Sequence, residues 1–122
     1  MKTASITPLA SKTTKVSFPY KGGIHSFRLD QIIRLQSVSN YTYIYTTDAK
    51  PILMATVLSA YEPILEPLGF VRTHRSHLVN RKHICDIHET NEIVMADASV
   101  IEISRRKRKD VLKVLSLSPQ AA

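Results

Sequence analysis

The sequence is poor in cysteine and glycine and has no long apolar run, and each absence excludes a class of protein. The single cysteine, Cys85, rules out an intramolecular disulfide framework and is typical of a reducing compartment. Three glycines, with no Gly-Lys-Ser/Thr run, leave no phosphate-binding loop. No stretch approaches the roughly 18 apolar residues of a membrane-spanning helix, and residues 1–15 lack the apolar centre of a secretory signal. We therefore expect a cytoplasmic protein with no membrane partner.

Acidic residues are scarce in the middle of the chain, where none lies between Glu66 and Asp86. The net charge is +7 and the sequence pI is about 9.8. Basic residues are concentrated in two places, at residues 72–82 and at residues 105–109. Clustered positive charge of this kind favours a nucleic acid or another anionic surface as partner.

The pattern of apolar residues predicts a mostly β, antiparallel domain. Residues 1–22 are rich in Ser, Thr and Lys and predict a flexible basic N-terminal arm, residues 23–116 predict the folded domain, and residues 117–122 a C-terminal tail. Alternating apolar positions and strand-forming residue types predict about nine short strands. They span residues 24–29, 32–36, 41–46, 51–55, 70–73, 77–80, 84–87, 92–95 and 100–104.

Helical spacing occurs in two short segments only. Apolar residues three and four apart within 58–68 predict one short embedded helix, which Pro63 and Pro67 limit to one or two turns. Residues 105–115 predict a short C-terminal helix. The embedded helix carries Glu62 and Glu66, which would repel phosphate, so the chain offers no recognition helix of the helix-turn-helix kind.

Catalysis and metal binding have weak support. His74, His77 and His83 lie near Ser76 and Cys85 in sequence, but no glycine elbow accompanies them, and we predict that the chain is not an enzyme. The same histidines, together with Cys85 and His88, lack the regular pairing of zinc ligands, and nearby basic residues would repel a dication. We predict no metal and no cofactor.

The central stretch is FVRTHRSHLVN at residues 70–80, in which two β-like runs flank a polar, basic loop. Arginine presents a fork of donors that can bind phosphate or the O6 and N7 atoms of guanine. We expect three regions to converge as loops or strand edges, namely residues 37–42, 72–82 and 104–109. Tyr41, Tyr43 and Tyr45 alternate on one strand face, which is either a stacking platform for single-stranded RNA or, more commonly, part of a core.

The order of these elements resembles the LytTR-type DNA-binding domain of bacterial transcription regulators. The most specific parts are FVRTHRSHLVN, with Arg81 to Ile84 after it, and ISRRKRKDV at residues 103–111. Residues 32–45 match the early signature, and the whole match covers residues 24–115. The resemblance implies a layered, elongated β fold that binds double-stranded DNA, with loops entering successive major grooves, usually at paired direct repeats.

The resemblance also implies roles for individual residues. The base-reading positions would be Tyr41 or Thr42, Arg75 and Arg106. The positions that contact the DNA backbone or shape the loops would be Asn40, Arg72, His74, Ser76, Asn80, Lys82, Ser104, Arg105 and Lys107. For Asn80, a cap on the turn after its strand is an equal alternative to a DNA contact.

Two departures from the family pattern bear on regulation and on the first loop. Many members carry an N-terminal receiver domain, for which this sequence has no room, and Gln36 stands where an acidic residue is usual. We expect self-association on DNA, because one small module rarely covers enough sequence alone, and an upstream sensor or kinase as partner. The rival interpretations are a basic RNA-binding β module and a module that binds an acidic partner protein.

Overall fold

The computed structural model describes residues 14–48 and 50–117, with the side chain of Leu117 excepted. These residues form three antiparallel sheets, two short α-helices and several single 3₁₀ turns. The predicted fold class, mostly antiparallel β with one short embedded helix and a short C-terminal helix, is confirmed. No helix in the described ranges is long and apolar enough to cross a membrane.

The chain begins with a β-hairpin where the sequence predicted a flexible arm. Strand β1 (Lys15–Tyr20) pairs with β2 (Gly23–Arg28), and the two residues between them, Lys21 and Gly22, both have positive φ. This conformation suits a two-residue hairpin, because its twist matches that of the flanking strands. Alternate β1 residues, including Phe18, are buried. The arm prediction is therefore wrong for residues 15–20, while residues 1–13 and 118–122 lie outside the described residues.

The central sheet has five strands in the order β5-β4-β3-β7-β6. Strands β3 (Ile32–Val38) and β4 (Tyr41–Thr46) form a hairpin, and β5 (Ile52–Met54) extends it at one edge. Strands β6 (Phe70–His74) and β7 (His77–Asn80) form a second hairpin, and β7 pairs with β3. The tips of both hairpins consequently lie at the same end of the sheet.

The third sheet contains β8 (Ile84–His88), β9 (Glu92–Met95) and β10 (Val100–Glu102), with β9 in the middle. The turns at residues 89–91 and 96–99 fall in the gaps between the predicted strands, and Asn91 and Ala98 have the positive φ that such tight turns use. A 3₁₀ turn at Arg81–His83 connects this sheet to β7.

The embedded helix is as short as its prolines predict. Helix α1 (Glu62–Leu65) is flanked by single 3₁₀ turns at Leu58–Ala60 and Glu66–Leu68, and Gly69 ends the segment with φ 104°. Helix α2 (Arg108–Leu117) begins later than predicted, because residues 105–107 form turns.

Two buried clusters hold the sheets together. One cluster lies between the N-terminal hairpin, the central sheet and α1, and it includes Phe18, Leu35, Leu65 and Phe70. The other lies between the central sheet, the third sheet and α2, and it includes Val79, Ile93 and Val111. Because β6 and β7 contribute to both clusters, the turn between them stands on well-packed strands.

Candidate nucleic-acid interface

Two backbone hydrogen bonds join the three predicted loop regions. The Ser37 amide donates to the Ser76 carbonyl at 3.0 Å, which ties the end of β3 to the β6–β7 turn. The Ser104 amide donates to the Thr73 carbonyl at 2.8 Å, which ties the segment before α2 to the end of β6, beside the same turn. The convergence that the sequence predicted is therefore present, with the β6–β7 turn in the middle.

In the β6–β7 turn the side chain of Arg75 is exposed, and the mostly buried side chain of Arg72 donates hydrogen bonds to the turn. Arg75 is exposed, whereas only 14% of the Arg72 side chain is accessible to solvent. Arg72 donates from Nε to the His74 carbonyl at 3.0 Å and from Nη2 to the Arg75 carbonyl at 2.6 Å. Its Nη1 donates to Glu62 Oε1 in α1 at 2.6 Å. Arg72 is thus committed to shaping this turn.

His74 also supports the turn from within. The Ser76 amide donates to His74 Nδ1 at 3.1 Å, so that nitrogen is unprotonated in this arrangement. His74 Nε2 faces Glu102 Oε1 at 3.9 Å. His74 and Ser76 therefore belong to the loop-shaping set.

The first loop presents one of its two predicted base-reading residues. Ser39 has φ 58°, and Asn40 and Tyr41 beside it are exposed, with 47% of Tyr41 accessible. Thr42 is fully buried, and its hydroxyl donates to the Thr56 carbonyl at 2.7 Å. The prediction of Thr42 as a base-reading residue is corrected to a core position, because period-two alternation turns its side chain away from the face of Tyr41.

The third loop is a tight turn rich in arginine. The Lys107 amide donates to the Ser104 carbonyl at 3.0 Å, and the Val111 amide donates to the Lys107 carbonyl at 2.8 Å as α2 begins. Arg105 and Arg106 are exposed, and Ser104 and Lys107 are partly buried. Arg108 Nε donates to Asn91 Oδ1, which fixes the start of α2 against the turn at 89–91. Two arginines are thereby presented beside the β6–β7 turn.

Two predicted residues lie away from this end of the sheet. Asn80 is at the opposite end of β7 and is only 3% exposed. Its Nδ2 donates to the Ile32 carbonyl at 2.9 Å and to the Leu29 carbonyl at 3.4 Å, and its Oδ1 accepts from the Lys82 amide at 3.0 Å. Of the two roles open for Asn80, the turn-capping role is the one that this geometry has. Lys82 is exposed at that opposite end and does not join the three loops.

A buried cation lies behind the first loop. Arg34 is 8% exposed, donates to Gln36 Oε1 at 2.7 Å and to Ser99 Oγ at 3.2 Å, and stacks on the Tyr45 ring at 3.8 Å. Within the described ranges no carboxylate lies at ion-pair distance from Arg34. Gln36 thus supplies a neutral acceptor to the guanidinium.

His77 sits beside this cation and is held neutral. Burial, followed by electrostatic effects of the neighbouring His74 and Arg34, lowers the pKa of His77 to about 4. Its Nδ1 is buried and has no hydrogen-bond partner among the described residues. His77 is therefore a poor phosphate contact and acts as an uncharged support beneath the turn.

The tyrosine face is partly covered. Tyr43 and Tyr45 are half-buried with ring centroids 6.2 Å apart, and of the three tyrosines only Tyr41 at the end is well exposed.

The described residues contain no group of three or more His, Cys, Asp or Glu side chains arranged to hold a metal ion. At the end of the central sheet that carries the three loops, the exposed arginine side chains provide hydrogen-bond donors and positive charge.

Sequence reasoning missed Glu62 as part of the site, because ten residues separate it from Arg72 and its helix carries no motif. It also missed Asn91 as the partner of Arg108 beside the third loop. These contacts depend on how separate elements pack, and residue spacing alone carries no signal for them.

Comparisons with known proteins identify the family of the chain. The family model of the LytTr DNA-binding domain matches residues 22–116. A solved LytTr DNA-binding domain from Bacillus cereus has the same fold, with a TM-score of 0.69 and 21% identity, over 83% of this chain and 95% of that one. The chain belongs to the LytTr DNA-binding domain family.

Curated relatives are longer than this chain. The transcriptional regulatory protein LytR of Staphylococcus aureus strain N315 is 30% identical over 91 residues, which are 71% of this chain and 37% of that protein. The sensory transduction protein LytR of Staphylococcus saprophyticus is 30% identical over 113 residues, 88% of this chain and 44% of that protein. The chain spans less than half the length of either relative.

Proposed function

We propose that this chain binds duplex DNA with sequence specificity, through the three loops at one end of its central sheet, and that it regulates transcription. The observation that carries the proposal is the joining of the β6–β7 hairpin to both other loops by backbone hydrogen bonds. Four exposed side chains lie at this end, those of Tyr41, Arg75, Arg105 and Arg106. Membership of a DNA-binding family and relatives named as transcriptional regulators support it.

In this mechanism positive charge and base contacts have separate tasks. Lys and Arg side chains displace counterions from phosphates, so affinity falls as salt rises. Arg75 and Arg106 read guanine edges in successive major grooves, where each bidentate pair discriminates by about 1–3 kcal/mol. Asn40 and Arg105 contact the backbone or shape their loops, and Tyr41 lies beside a base edge.

The wider setting of the protein follows the same proposal. Sites are paired direct repeats, and copies of the chain associate on DNA, because a single small module covers little sequence. Relatives named for sensory transduction support an upstream sensor or kinase as partner.

Selection from a randomised duplex library at physiological salt tests the proposal. We expect enrichment of a short motif repeated about one helical turn apart. Arg106→Ala should then weaken binding to the selected site far more than to a scrambled duplex. Lys82→Ala is the matched control, since it removes one cation from the other end of the sheet and should not change the ratio of the two affinities.

The rival functions have their own outcomes in these assays. A stronger competition by single-stranded RNA than by duplex DNA of equal length would indicate an RNA-binding module. Binding to no nucleic acid at physiological salt would indicate a module for an acidic partner protein. Equal losses on both duplexes for Arg106→Ala would reduce Arg106 to a phosphate contact.

A further inference from the structure

The conformation of the β6–β7 turn is not one that its residue types favour. Two-residue hairpins favour turns with positive φ, usually built with Asn and Gly. This turn is Arg75-Ser76, and neither residue has a positive φ. The pairing of β6 with β7 also shifts register between Arg72 and His74. Such irregularities change the direction in which side chains point. The orientation of Arg75 must therefore be stabilised by contacts outside the turn.

That support comes from a hydrogen-bonded clamp around three successive residues. Arg72 holds the carbonyls of His74 and Arg75, the His74 ring holds the Ser76 amide, and the Ser37 amide holds the Ser76 carbonyl. Arg75 is the residue left exposed at the tip. Pre-organisation of this kind lowers the ordering cost of binding.

Glu62 fixes the orientation of the clamp. Its carboxylate accepts from Arg72 Nη1 at 2.6 Å, with 30% of the Glu62 side chain and 14% of the Arg72 side chain exposed. A charge-assisted hydrogen bond in a partly desolvated place is stronger than a neutral one on the surface. The contact connects α1 to the reading turn through a single guanidinium.

We propose that Glu62 and Arg72 are positioning residues that hold Arg75 in its base-reading geometry. This inference depends on the proposed function. The inference gives Glu62 a favourable role in binding DNA, whereas the negative charge of Glu62 alone predicts that it weakens binding. Selectivity for the cognate site, and not general affinity for DNA, is what the pair supplies.

Glu62→Ala tests the inference, with Glu66→Ala as matched control. Glu66 lies four residues later and is exposed, and its carboxylate forms no ion pair within the described ranges. Both variants therefore remove one negative charge. Charge alone predicts that each variant binds every duplex more tightly. Positioning predicts that Glu62→Ala alone lowers the ratio of cognate to scrambled affinity, on the order of tenfold, since a whole bidentate contact corresponds to about 5- to 150-fold. Equal ratios for the two variants would overturn the inference.

Two further variants separate positioning from loss of charge. Arg72→Lys keeps the charge but cannot hold two carbonyls and a carboxylate with a planar fork, so it should lower the same ratio. In an Arg75→Ala background, Glu62→Ala and Arg72→Lys should produce no further loss. Additive losses would show that the pair acts elsewhere and would overturn the inference.

A readout without DNA completes the test. Hydrogen exchange of the Ser76 amide should be faster in Glu62→Ala than in Glu66→Ala and the parent chain, because the clamp loosens. Unchanged exchange would overturn the inference while leaving the proposed function intact. A parent chain that shows no preference for any duplex would overturn both.

Discussion

Replacement of Asn80 by alanine should destabilise the fold without altering DNA recognition. Asn80 is 3% exposed and makes two well-formed hydrogen bonds, to the Ile32 carbonyl at 2.9 Å and from the Lys82 amide at 3.0 Å. Each such bond contributes about 0.5–1.5 kcal/mol net, and a buried group left without a partner costs about 1–3 kcal/mol. We expect a loss of roughly 2–4 kcal/mol in the free energy of unfolding.

Urea unfolding measures this loss directly. With a slope of about 2 kcal/mol per molar urea, the middle of the usual range, the midpoint should fall by about 1–2 M while the slope stays unchanged. Asn80→Asp is the matched variant. It keeps an acceptor for the Lys82 amide, but it replaces the amide donor that faces the Ile32 carbonyl with an acceptor. It should be at least as destabilising as the alanine variant.

The result that would refute this reasoning concerns both stability and binding. At a temperature where the variant is folded, Asn80→Ala should keep the parent ratio of cognate to scrambled affinity. An unchanged urea midpoint combined with weaker binding to the selected duplex would show that Asn80 contacts DNA. The capping role derived from the geometry would then be wrong.

Three further predictions concern the core and the support of the turn. Leu78→Ala removes a side chain with 0% exposure and should cost about 2–5 kcal/mol, seen as a lower melting temperature; an unmoved melting temperature would contradict its place in the core. Thr42→Val should cost about 1 kcal/mol by losing the bond to Thr56, and a lowered cognate-to-scrambled ratio would reinstate Thr42 as a reading residue. The pKa of His77 is lowered to about 4 in the folded chain, so between about pH 6.5 and pH 4 the unfolded chain protonates His77 more readily than the folded chain does. The free energy of unfolding should therefore fall as the pH drops from about 6.5 towards 4. In His77→Gln the fall between pH 7 and pH 5 should be smaller, and an equal fall would contradict the assignment.

The strands were predictable because local patterns determine them. Alternating residues in β4 and β7, and the prolines within residues 58–68, carry enough information to place those elements within a residue or two. The exception is β1, whose Ser, Thr and Lys content conceals the alternation of Val16 and Phe18. Its burial depends on pairing with β2, which composition does not reveal.

The candidate site was predictable as a set of loops and not as a set of contacts. The basic stretches and the resemblance indicated which loops converge. Whether a given side chain faces solvent was decided by packing, as for Thr42, or by a partner distant in sequence, as for Arg72 with Glu62. Long-range pairings of this kind arise only when the sheets and α1 come together.

Methylation interference on the selected duplex tests the central claim most directly, because a methyl group on guanine N7 blocks the major-groove edge that arginine reads. We predict interference at guanines in two major-groove segments about one helical turn apart, and loss of one interfering guanine within each repeat for Arg75→Ala. Interference at no guanine, or an identical pattern for the parent chain and for Arg75→Ala, would contradict base reading by the β6–β7 turn.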